Sequence, residues 1–165
     1  MKIGERPVGA PASAADVDAV TALLGRVPNG EFVVAVRRRD GTPAVIANDP
    51  HLRDGVPMPT RYWLVDPEIS ALVGRLESRG GVRRAESEIG TEILAEAHAR
   101  YARERDALIP PGRSGPRPHG GVGGTRRGVK CLHAHVAWWL AGGDDPVGRW
   151  VAEQVDLPRF DLVVQ

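Results

Sequence analysis

The chain has 165 residues, 42% hydrophobic and 26% charged, enough for one domain to bury a core without disulfide or metal staples. Twenty-two Lys and Arg stand against 21 Asp and Glu, so no global field drives the protein onto nucleic acid or an anionic membrane. A single cysteine excludes an intrachain disulfide and fits a reducing cytoplasm, and no apolar run approaches a bilayer span.

Residues 1–12 lack the apolar core of a signal peptide and show no periodicity. They read as a flexible N-terminal arm before a single domain over 13–165, in a cytoplasmic protein. Ser13 with Asp16 three positions on forms a short capping box, and Val17, Val20 and Leu24 follow at helical spacing until Gly25. Glu31 to Arg39 and Pro43 to Ala47 read as strands around an Asp40-Gly41 turn. A proline-rich loop over 48–60 leads to a third strand, Arg61 to Val65. Asp66-Pro67 starts a helix with Ile69, Leu72, Val73 and Leu76 on one stripe. A longer helix is expected over 84–108, weakened at Gly90 by about 1 kcal/mol relative to alanine.

Residues 109–124 hold four prolines and six glycines and must form a loop. Helix resumes near Arg126, Asp145-Pro146 starts a short last helix, and Phe160 to Val164 adds a final strand. The expected fold is α+β: one domain with a small, mostly antiparallel sheet of three or four strands, packed by four or five helices.

The stretch PHGGVGGTRRGVKCLHAHVAWWLAGG, 118–143, holds the densest chemistry. Gly120, Gly121, Gly123 and Gly124 stand just ahead of the expected helix start. There, free amides and the helix dipole favour an anion. Thr125 offers a cap, and Arg126, Arg127 and Lys130 add charge to clamp phosphate or carboxylate. The alternative is a flexible linker with solvated cations. With the helix running from Arg126, Cys131 and His135 share a flank at i, i+4 while His133 points away. A thiolate and an imidazole together suit zinc, with a third ligand from elsewhere, or nucleophilic chemistry; the bland alternative is a buried thiol. Arg37 to Arg39 offers a weak contact for nucleic acid, although charge at a hairpin tip more often guards a sheet edge.

NDPHLRDGVPMPTRYWLVDP, AHARYARERDAL and GGVGGTRRGVKCLHAH followed by AGGDDPVG resemble a bacterial, mainly actinobacterial family, domain of unknown function five hundred and one. The resemblance covers about residues 28–152. It implies no activity, but it marks Asn48-Asp49-Pro50, Asp54-Gly55, Tyr62, His98, Gly123-Gly124, Lys130 to His133 and Pro146. His98 thereby joins Cys131, and His133 is favoured over His135, against the helical phase. Some members carry a histidine where this chain has Trp138.

The expected site therefore takes Cys131, His133 and His98 as catalytic candidates. Gly123, Gly124, Thr125, Arg126, Arg127 and Lys130 would bind ligand, and Cys131, His135 and His98 would be the ligands of any zinc. The expected function is a pocket for a small anionic or phosphorylated ligand, extending to hydrolase or transferase chemistry. The alternatives are a non-enzymatic interaction protein and a Cys/His zinc protein. A small anionic ligand or a protein is the expected partner; nucleic acid is disfavoured and no membrane is expected.

Overall fold

The structure, a computed structural model, describes residues 9–165. The arm expected over 1–12 falls mostly outside the described residues; Ala12, within them, donates its N–H to the Phe32 carbonyl at 3.2 Å. Helix α1, Ala14–Leu24, begins with the reciprocal Ser13–Asp16 capping box, both bonds 3.1 Å, and ends at Gly25 in the left-handed region.

Strands β1 (Phe32–Arg38), β2 (Pro43–Asn48), β3 (Tyr62–Leu64) and β4 (Leu162–Val164) form one antiparallel sheet ordered β3-β2-β1-β4. Every residue of β2 is buried, because both faces of the sheet are covered. Ile46 packs with Phe32, Val34 and α1 on one face; Val45 and Ala47 pack on the other against the later helices. Strand period alone would put Val36 beside Val34. Instead Val34 pairs with Ile46 and Val36 with Val45, so the extra residue bulges and Val36 turns to the opposite face.

Helix α2 (Pro67–Ser78) is capped by Asp66, whose carboxylate accepts the N–H groups of Glu68 and Ile69 at 3.0 and 2.9 Å. Where one helix was expected over 84–108, there are two: α3 (Gly81–Ile89) and α4 (Thr91–Asp106). Gly90 between them has φ 88°, which ends one helix and starts the next rather than merely weakening a single one. Helices α5 (Leu132–Leu140) and α6 (Pro146–Gln154) complete six among the described residues, against the four or five expected. None is long and apolar enough to cross a membrane. The α+β fold with a four-stranded antiparallel sheet is as expected.

Helix α5 is the central element. Ala134, Ala137, Trp138 and Ala141 face the sheet and α4, and the small alanines allow close approach. Leu132 and Val136 enter a second core with α2, α3 and α6, so α5 is apolar on both sides. Trp138 and Trp150 are core residues; their indole N–H groups donate to Glu104 at 2.8 Å and Glu88 at 2.6 Å.

The arginine triplet is consumed by intramolecular pairs. Arg37 meets Asp16 at 2.8 Å, Arg38 chelates Asp66 at 2.5 and 2.9 Å, and Arg39 pairs with Asp161. Burial alone would raise the Asp66 carboxyl, but Arg38 and the helix amides hold it below its ordinary value.

Candidate functional site

The glycine-rich loop is braced from α3 and α4. Arg105 on α4 is buried and donates to the carbonyls of Pro59 and Gly120 at 3.2 and 2.9 Å. Two turns earlier, His98 accepts the Val122 N–H at Nδ1 (3.1 Å) and faces the Gly128 carbonyl through Nε2 (2.8 Å). A carbonyl only accepts, so His98 is the neutral Nε2–H tautomer. Burial pushes its pKa below the ordinary value, consistent with that form. Gly121 packs directly on His98, where a Cβ would overlap the ring. On α3, Glu86 accepts the Val129 N–H at 2.7 Å. The glycine-rich segment is thus a held structure, not a linker. Several of its amides are spent internally: Gly121 N–H on the Thr125 carbonyl, Gly124 N–H on the Gly121 carbonyl and Val122 N–H on His98.

The helix expected near Arg126 starts six residues later, at Leu132, because Gly128 is left-handed and Cys131 is extended (φ −154°, ψ 154°) as N-cap. This shift rearranges the site. Thr125 caps no helix; its hydroxyl donates to the Arg127 carbonyl at 2.9 Å. Arg126 and Arg127 are exposed. The i, i+4 relation between Cys131 and His135 lapses, since Cys131 is not helical. His135 turns fully inward, with Nδ1 2.7 Å from Asp145, which also caps α6 through the Val147 N–H at 2.8 Å. His98 and His135 are neighbours in the interior, ring centroids 5.9 Å apart. Cys131, His135 and His98 do not gather their ligand atoms within 4.8 Å, which corrects the expected metal set.

Cys131 meets His133 and Glu77 instead. The thiol, an imidazole nitrogen and a carboxylate oxygen all lie within 4.8 Å of one another, the one such group among the described residues. Glu77 Oε1 accepts the Leu132 N–H at 3.0 Å and sits 2.7 Å from His133 Nδ1. The other ring nitrogen of His133, Nε2, faces the Ser70 carbonyl at 3.0 Å. The anion expected at this helix start is therefore supplied by the chain itself. Glu77 was missed in the sequence, although one signal exists: a carboxylate in the last turn of α2 opposes the helix dipole and needs a compensating partner.

Cys131 and His133, both half-buried, line a cleft of about 300 Å³ between α5, the glycine-rich loop and the third strand. Gly123 and Lys130 line it too, and Lys130 Nζ donates to the Gly123 carbonyl at 3.2 Å. The opposite wall carries Arg26, stacked over Trp63 at 5.3 Å, a pair the sequence did not suggest. Of the expected site residues, the structure unites Cys131, His133, Lys130 and Gly123. Gly124, Thr125, Arg126, Arg127, His98 and His135 do not line the cleft.

Residues 34–153 match the family described as protein of unknown function (DUF501), and the chain belongs to that family. No curated protein and no solved structure matches the chain.

Proposed function

We propose that the protein is a cytoplasmic binder of a small anionic ligand, held in the cleft beside Cys131. Any hydrolytic or transfer step it performs centres on Cys131 and His133. The observation that carries this reading is that two cations, Lys130 and Arg26, line the same cleft as a partly accessible thiol. Trp63 and Leu64 in the same lining suit a planar or apolar portion of the ligand. The glycine-rich loop contributes shape through Gly123 rather than a ring of free amides. With all three arginines of 37–39 engaged by carboxylates, the reading leaves nucleic acid aside.

The sole cysteine provides a test that needs no known ligand. On metal-free protein, the alkylation rates of Cys131 by iodoacetate and by iodoacetamide are compared with the same ratio for glutathione. Charge focusing in a cleft raises local anion concentration roughly 10-fold or more. A ratio shifted toward iodoacetate by about that factor, and lost in Lys130→Ala with Arg26→Ala, supports the reading. A ratio equal to that of glutathione overturns it.

A further inference from the structure

The geometry points to a divalent, borderline-soft metal site, with zinc as its natural occupant, built from Cys131 Sγ, His133 Nδ1 and a Glu77 carboxylate oxygen. The argument begins with the ring of His133. Its Nε2 faces the Ser70 carbonyl at 3.0 Å, and a carbonyl oxygen can only accept, so Nε2 carries the proton. In the neutral ring Nδ1 is then a lone pair, and it faces Glu77 Oε1 at 2.7 Å. At that distance the two acceptors share a proton in the metal-free protein, which a metal ion would displace while spreading the pair to about 3.3 Å in tetrahedral geometry.

The surroundings suit that exchange. The Cys131 sulfur completes the group within 4.8 Å, and thiolate, imidazole and carboxylate are the three zinc ligand types. A set containing one thiolate is too soft for magnesium or calcium, and the carboxylate makes it too hard for copper(I). The bond from Nε2–H to a carbonyl is the outer contact that ligating histidines ordinarily make to fix their tautomer. The Leu132 N–H on Glu77 orients the carboxylate in the same way. Cys131 and His133 line the cleft, so a fourth coordination position would open into it, as at sites that exchange a ligand rather than only brace a fold.

This inference uses the same cleft but stands without the anionic ligand, and it makes Cys131 a ligand rather than a free thiol. The test uses the full chain, stripped with a chelator, returned to zinc alone, and desalted. Wild type should retain one zinc per chain, and zinc should raise its Tm. Cys131→Ser and Glu77→Gln should each weaken binding more than about 100-fold, beyond the 10- to 100-fold loss typical of an outer-shell partner. Arg126→Ala and His119→Ala, at residues outside the cleft, should leave it unchanged. Cobalt in place of zinc should show thiolate-to-metal charge-transfer absorption that disappears in Cys131→Ser. Substoichiometric zinc in folded protein, equal affinity in Cys131→Ser, or a cobalt spectrum without the thiolate band would each overturn the proposal.

Discussion

Glu77 and Leu132 lie 55 positions apart, and the carboxylate of the first accepts the first backbone N–H of α5 at 3.0 Å. The same oxygen meets His133 at 2.7 Å, so one side chain of α2 sets both the start of α5 and the orientation of its imidazole. Glu77→Ala removes the partner of the Leu132 N–H and of His133 Nδ1 at a partly buried site. The expected cost is about 1–3 kcal/mol. Glu77→Gln keeps an acceptor for Leu132 and should cost less. Urea denaturation of the two variants in chelator checks the order.

Cys131 stands at the N-cap of α5 without a side-chain cap bond. Serine is among the preferred residues there, worth about 1 kcal/mol over residues that cannot cap. Cys131→Ser should therefore fold with a Tm no lower than that of metal-free wild type. Thermal denaturation followed by circular dichroism tests this, and a loss of several degrees would contradict it.

His98 predicts a pH dependence. Its folded-state pKa lies below the ordinary 6.5, chiefly through burial, so the unfolded chain binds the proton more readily than the native one. The stabilisation is complete above about pH 6.5 and falls away as the pH drops below it. In structural terms, a proton on Nδ1 would face the Val122 N–H it now accepts. The buried His135, hydrogen-bonded to Asp145, is the neighbouring ring. Urea midpoints between pH 8 and pH 5 should decline in wild type and decline less in His98→Gln; parallel curves would refute the assignment.

Two glycines should respond in opposite directions to alanine. Gly121 packs on His98, so Gly121→Ala must displace the ring or the loop and should cost about 1–3 kcal/mol. Gly74 lies inside α2, where an added Cβ meets nothing within 4 Å. Gly74→Ala should stabilise by roughly 0.5–1 kcal/mol, the helix-propensity difference. Paired denaturation curves decide both.

What could be read from the sequence was local. Ser13 with Asp16, Asp66 with Pro67, Asp145 with Pro146, and Asp40-Gly41 each act on neighbours two or three positions away, and all appear where expected. The start of α5 was misplaced because Val129 fits the helical phase of Leu132 and Val136, and it does enter their core, but from a loop. What keeps 118–130 out of a helix is Glu86, His98 and Arg105, whose contacts span 14 to 43 positions. The site followed that error. With the helix start moved, His135 exchanged places with His133, and the cations at 126 and 127 moved off the cleft. The family resemblance favoured His133 where periodicity favoured His135, and the Cys131–His133 pairing agrees with it.

Loops that grip a ligand commonly surrender conformational freedom when it arrives, and affinity suffers by that amount. Here Arg105, His98 and Glu86 impose the ordering of the glycine-rich loop during folding, before anything enters the cleft. A guest meeting Gly123 and Lys130 therefore encounters a wall already set. Its association should run at the pace of diffusion and charge attraction rather than of loop closure.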